Sequence, residues 1–198
     1  MNKIIFTDLD GTLTFRDTYI KFIFKNLTFS SALANTPALT LMTLKYIFGV
    51  INKETVKRTT FKMFFDGYDV RQNIENFAKS VKWNKKVLDM IDEKKREGYK
   101  VIIVTASPDM YLPHLCDYLG YDGFLSTKTL KNGEFLTGLF DGKVCNFEEK
   151  TLRIKEFLRD KKTSHTVSFG NSIGDYPMLE FCDEAYFVHK LNVKKFEA

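Results

Sequence analysis

Ile4-Ile5-Phe6-Thr7-Asp8-Leu9-Asp10-Gly11-Thr12 decides the fold of this chain of 198 residues. A short apolar run that stops at a carboxylate suits a buried strand opening into a turn. Two carboxylates two positions apart at a strand end point to the same side, so Asp8 and Asp10 can reach one ligand. Gly11 permits the tight turn behind them.

Outward from this stretch the character changes. From about Asp17 to Val81 aromatic and aliphatic residues fall at helical spacing (Tyr19, Ile20, Ile23 and Phe24; Phe61, Phe64 and Phe65; Ile74 and Phe77) with no alternating strand. Pro37 and Gly49 punctuate the block, and Asp66-Gly67 reads as a stop between two helices. From Asn84 an alternation begins: a helix carrying Val87, Leu88 and Ile91 that ends near Gly98, then a strand from Lys100 to Val104. Pro108 reads as a first-turn proline opening a helix to Leu119, which Gly120 closes. Asn132-Gly133 between Thr127–Leu130 and Phe135–Phe140 predicts a hairpin. A helix from Glu148 to Arg159, a strand from Thr166 to Phe169, a helix from Tyr176 and a strand from Ala185 to Val188 complete the chain. Such alternation predicts an α/β fold with a mainly parallel sheet covered on both faces. The expected core is 1–15 with 82–198, and 16–81 is an inserted all-helical cap beside the carboxyl ends of the strands, where open α/β sheets bind ligands.

Composition bounds the function. With 44% hydrophobic and 28% charged residues the chain is globular, which excludes disordered and collagen-like classes. Cys116, Cys145 and Cys182 are odd in number and include no C-x-x-C pair, so neither a disulfide framework nor a zinc ribbon fits. A reducing cytoplasm is the expected location, and the opening apolar run is too short for a signal-peptide core. His114, His165 and His189 show no metal-ligand spacing. The net charge of +5 is unevenly spread: residues 16–62 hold eight basic groups and two acidic ones, leaving the remainder near neutral. That bias fits a solvated basic surface, or attraction of an anionic substrate or membrane surface.

Three further polar signals follow strand or turn ends. Thr105-Ala106-Ser107 brings a hydroxyl and free backbone amides suited to a phosphate oxygen. Lys150 lies in the first turns of a helix after Cys145-Asn146, and Gly170-Asn171-Ser172-Ile173-Gly174-Asp175 follows the strand at Phe169. With Asp8-Leu9-Asp10-Gly11-Thr12 these resemble the four motifs of the haloacid dehalogenase superfamily, in its phosphatase branch with a helical cap after the first motif, nearest the phosphoserine phosphatase-like subfamily. The resemblance spans essentially the whole chain. It implies a Rossmann-like three-layer core and a Mg²⁺-dependent phosphomonoester hydrolase that forms an aspartyl-phosphate on Asp8 and acts on a small anionic phosphate ester. Asp10 is then the general acid and base. Thr105, Ala106 and Lys150 hold phosphoryl oxygens, and Asp8, the carbonyl of Asp10, Asn171 and Asp175 hold Mg²⁺. Asp17 and Arg58 lie roughly where such enzymes place an acidic and a basic substrate-recognition group, and both also fit as ordinary surface charges of the cap.

The chain departs from that pattern in two places. Asn171 stands where the fourth motif usually carries an acid, which removes a negative charge from the metal site. Thr105-Ala106-Ser107-Pro108 replaces the usual Ser-Gly-Gly, which weakens phosphoserine as the substrate. The cap adds another alternative, since Asn26 to Leu44 carries no charged residue within a basic block. A self-packed helical hairpin explains this, and so does an interfacial face, as in the bacterial phosphatidylglycerophosphate phosphatases that this cap and first motif resemble. A non-catalytic phosphate-binding relic is the remaining alternative. Asp10 argues against a dehalogenase, and the absence of clustered Arg with interleaved aromatics argues against nucleic acid as a partner.

Overall fold

The structure, a computed structural model, describes residues 2–197 other than 73 and 75, with the backbone alone at 29–32. One eight-stranded sheet organises it. The strands are β1 (Asn2–Thr7), β2 (Asp66–Asp69), β3 (Tyr99–Pro108), β4 (Gly123–Asn132), β5 (Phe135–Asp141), β6 (Thr163–Gly170), β7 (Glu184–His189) and β8 (Asn192–Lys195). They lie in the order β2-β5-β4-β3-β1-β6-β7-β8. The five in the centre, β4-β3-β1-β6-β7, run parallel, while β5 and β2 on one side and β8 on the other are antiparallel additions.

Buried parallel strands need cover on both faces, and the alternation of side chains along β1 supplies two cores. Ile4 and Phe6 join Ile102, Val104, Ile154 and Met178 on one face. Ile5 joins Val101, Ile103, Val167, Val87, Ile91 and Leu115 on the other. Helices α7 (Glu148–Leu158) and α8 (Tyr176–Phe181) therefore cover the first face, and α5 (Lys85–Arg96) and α6 (Leu112–Leu119) the second. This is a Rossmann-like α/β fold.

Between β1 and α5 the chain leaves the sheet to form α1 (Thr18–Asn26), α2 (Phe29–Ile47), α3 (Lys53–Phe65), β2 and the single turn α4 (Phe77–Ser80). Its exit and return run side by side: Phe15 N donates to Lys82 O at 3.3 Å and Asn84 N to Leu13 O at 2.8 Å. An aromatic cluster ties the excursion to the core. Phe22 meets Phe77 edge-on at 4.9 Å and Tyr111 at 5.1 Å, and Phe61 meets Phe140 at 4.4 Å. Such pairs add about 1 kcal/mol each beyond the area they bury.

Three local features differ from the sequence reading. The inserted stretch is not wholly helical: Asp66-Gly67, expected as a stop between helices, opens β2, which pairs antiparallel with β5. Four residues are too few to show alternation, and the strand exists only through its distant partner. Pro108 does not open a helix; with φ −64° and ψ 147° it ends β3, a 3-10 turn follows, and α6 starts at Leu112 with Pro113 in its first turn. Proline's fixed φ serves an extended residue as well as a helix start. The short edge strand β8 likewise carries too little apolar pattern to be read.

Candidate active site

Asp8 follows the last residue of β1, between β3 and β6, and its amide continues the ladder by donating to Phe169 O at 2.9 Å. Its carboxylate is buried. Lys150, on the first turn of α7 and 1% exposed, donates to Asp8 Oδ1 and to Asp175 Oδ1, both at 2.6 Å. Burial opposes the ammonium, but the two carboxylates outweigh it and hold Lys150 above its usual range. Burial, reinforced by Asp175, pushes Asp8 up to about 7 against the pull of Lys150. Asp175, also buried, is nonetheless held below the usual carboxylate range by Lys150 and by its donors.

Asp10 is fixed from two sides. Thr18 N, at the start of α1, donates to Oδ1 at 2.6 Å, and the Ser107 hydroxyl donates to Oδ2 at 2.5 Å. Burial and the nearby Asp17 raise its pKa, which favours the protonated form. Asp17 itself caps α1, accepting from Ile20 N at 2.9 Å.

The turn after β6 is built around Asp175. Its Oδ2 accepts from Asn171 N at 3.1 Å, Ser172 N at 3.0 Å and the Ser172 hydroxyl at 2.8 Å. This holds the amide end of Asn171 3.3 Å from both Asp8 Oδ2 and the Asp10 carbonyl. Gly11 makes the approach feasible: its φ is +92°, and a Cβ there would lie 2.1 Å from Asn171 Nδ2. The amide end can satisfy these neighbours in two ways. Turned with its nitrogen inward it donates to both oxygens; turned with its oxygen inward, three oxygens converge as they do around a hard cation. The donor set thus fits Mg²⁺. Among the described residues no group of three His, Cys, Asp or Glu side chains gathers to hold a metal, because here an amide and a main-chain carbonyl stand beside one carboxylate.

These groups line a cleft of about 710 Å³ between the sheet edge and the inserted helices. Thr105 and Ala106 form part of its wall. The Thr105 hydroxyl accepts from Ser107 N at 3.0 Å, and the Ala106 carbonyl accepts from Thr127 at 2.7 Å and from Lys57 Nζ at 2.9 Å. Lys57 descends from α3 into the cleft; burial lowers its pKa, while Asp10, Asp17 and Asp8 counter that shift.

A family model described as haloacid dehalogenase-like hydrolase matches residues 5–180. The chain belongs to that family. It is 32% identical over 192 residues to protein CicA of Caulobacter vibrioides, covering 89% of this chain and 82% of that protein. In fold it is similar to a Bordetella pertussis Tohama I protein of unknown function, with TM-score 0.78, 18% identity and coverage of 93% and 89% of the two chains. It is also similar in fold to a substrate-bound phosphoserine phosphatase, with TM-score 0.66, 20% identity and coverage of 93% and 85%.

Within this member of the haloacid dehalogenase-like hydrolases the structure brings Asp8, Asp10, Asp17, Thr105, Ala106, Lys150, Asn171 and Asp175 to one cleft. Arg58 lies elsewhere: it pairs with Glu54 at 2.8 Å, donates to Gly142 O and packs on Phe140. The basic group that α3 presents to the cleft is Lys57, one position earlier and so rotated about a quarter turn around the helix. Sequence reasoning also gave no role to Ser107 or Thr12. Thr12 donates to Asp8 Oδ2 at 3.2 Å. Their signal was present in the motif stretches themselves, as hydroxyls beside the residues singled out.

Proposed function

We propose that this hydrolase cleaves phosphate monoesters through a phosphoryl intermediate on Asp8. The observation that carries the reading is the pairing of Lys150 with Asp8 at 2.6 Å in a cleft that also holds a separately clamped Asp10. A buried carboxylate beside a buried ammonium can approach a phosphate without uncompensated repulsion.

Asp8 attacks phosphorus in line, and the bond from phosphorus to the ester oxygen breaks. Asp10, whose hold on a proton burial and Asp17 strengthen, gives its proton to the leaving oxygen, so the alcohol departs neutral. Asp10, now a carboxylate, takes a proton from water; the resulting hydroxide attacks phosphorus and releases Asp8 with inorganic phosphate. Lys150 keeps Asp8 oriented throughout and offsets charge on the phosphoryl oxygens, and Thr105 and the Ala106 amide bind those oxygens. Asp8, the Asp10 carbonyl and Asn171 would hold Mg²⁺, which would supply further positive charge at the transferring group. Both oxygens of Asp175 are already engaged, so its part is to shape the Asn171 turn and to fix Lys150.

Phosphate release from an aryl phosphate, by wild type and Asp8→Asn, with Mg²⁺ or with chelator, tests the reading. Release that needs both Asp8 and the metal is expected; equal release by Asp8→Asn would overturn the nucleophile. Phosphate-analogue binding without any turnover in wild type would identify a relic instead.

A further inference from the structure

Helix α2 exposes an apolar surface that no other part of the described chain covers. Of its described side chains only Met42 is buried, while Leu33, Leu41, Leu44, Tyr46 and Ile47 face solvent. The exposed run continues beyond the helix, with Phe48 77% and Val50 69% exposed. Two of its hydroxyls are satisfied within the helix: Thr40 donates to Thr36 O at 2.9 Å and Thr43 to Leu39 O at 2.8 Å. Lys45 is the one charged residue of the helix, and a contiguous exposed apolar patch of this kind marks a docking surface.

Charge selects the partner. From Thr18 to Phe65 the chain carries seven basic residues and one acid, Glu54, which is paired with Arg58. A second copy would bring two such surfaces together with no acid to meet Lys45 or Lys53. An anionic bilayer supplies both the missing negative charge and an apolar interior. The patch also runs into the site, because Asn52, Lys53 and Lys57, just past Val50, line the cleft. Across the mouth, Phe15, Phe147 and the 71% exposed Ile173 give the cleft an apolar rim above its charged floor. Phe147 holds that place with φ +50°, a conformation rarely adopted outside glycine.

We propose that α2 and the turn after it dock on the surface of an anionic bilayer, delivering to the cleft a phosphate monoester carried by an amphiphile. The docking stands on the surface alone; the substrate class rests also on the phosphatase reading. Among the described residues no helix is long and apolar enough to cross a membrane, and the contact proposed is with the bilayer surface.

Co-sedimentation of the full chain with vesicles of phosphatidylcholine, alone or mixed with phosphatidylglycerol, tests the docking. Binding to the mixed vesicles is expected, and the double variant Phe48→Ser, Val50→Ser should weaken it about tenfold while hydrolysing a soluble aryl phosphate as wild type does. Asp8→Asn should bind vesicles normally. Absence of binding, equal binding to both vesicle types, or concentration-dependent dimers abolished by the double variant would each overturn the docking, whatever the aryl phosphate assay shows. Vesicle binding without any Asp8-dependent hydrolysis would leave the docking standing and sink the phosphatase reading. For the substrate class, kcat/KM for a long-chain alkyl phosphate below its micelle concentration should exceed that for a short-chain one by about tenfold or more; equal values would refute the amphiphile.

Discussion

Ser107 and Asp10, 97 residues apart in the chain, meet through a 2.5 Å hydrogen bond that fixes one carboxylate oxygen of Asp10 to the end of β3. The other oxygen is held from the inserted helices, by Thr18 N at 2.6 Å. Asp10 is therefore clamped between the sheet and the cap, and its orientation reports how the two are seated on each other. In the mechanism proposed above, Asp10 is the proton donor, and it gains from both bonds only while the cleft is assembled.

Ser107→Ala should therefore lower kcat for an aryl phosphate while leaving KM nearly unchanged. A hydrogen bond to an ionisable carboxyl contributes about 2 kcal/mol, or roughly thirtyfold in rate if expressed wholly in the transition state. Steady-state kinetics of the variant, with its circular dichroism as a folding control, measure this. A raised KM at unchanged kcat would show that Ser107 serves binding instead of the acid.

Lys57 and Arg58 make a paired comparison. Lys57→Ala removes a cation from the cleft wall and should raise KM for an anionic phosphate ester about tenfold, an effect that shrinks with added salt. Arg58→Ala breaks an exposed pair with Glu54 and should change kinetics little. A larger effect at Arg58 than at Lys57 would reverse the assignment of the α3 cation.

Why one neighbour was legible in the sequence and the other was not is a matter of rotation. Asp8, Thr105 and Asn171 were found because apolar runs that end in polar residues mark strand ends, and parallel strands bring their carboxyl ends to one edge. Lys150 was legible only through the arrangement of all four motifs, since a lone lysine at the start of a helix reads as a surface residue. Lys57 and Arg58 share a helix, and which of them faces the cleft depends on how α3 rolls against Phe140 and Tyr19, a packing outcome with no local trace. β2 and β8 escaped for a similar reason: four-residue edge strands take their identity from β5 and β7, not from their own pattern. The exposure of α2 was equally hidden, since its apolar composition fits a buried hairpin as well as an uncovered helix.

The three thiols should be inert in the folded protein. Burial pushes Cys116 up to about 12, and Cys145 and Cys182 up to about 11. A thiol reacts as its thiolate, and a raised pKa leaves roughly one molecule in a thousand or fewer ionised at pH 8. Ellman's reagent should therefore react slowly with native protein at pH 8, faster as pH rises toward 11, and at once with all three cysteines after denaturation. A rapid phase in the native protein would show an accessible, low-pKa thiol.

Asn171→Asp should tighten Mg²⁺ binding and at the same time destabilise the metal-free protein. The added carboxylate would lie beside Asp8 Oδ2 and the Asp10 carbonyl, where Asn171 now sits at 3.3 Å. Without metal it brings like charge to a buried site and forfeits the inward amide that donates to both oxygens. With metal it supplies a charged hard ligand in place of a neutral one. The two effects act in opposite directions on Tm, so the Mg²⁺-induced rise in Tm should be larger in Asn171→Asp than in wild type, starting from a lower value in chelator. An affinity gain of about tenfold corresponds to about 1.4 kcal/mol of additional stabilisation at saturating metal. Asn171→Ala, with neither charge nor amide, should show the smallest rise of the three. Differential scanning calorimetry across a Mg²⁺ series reads all three without reference to turnover, and an equal rise in all of them would remove residue 171 from the metal site.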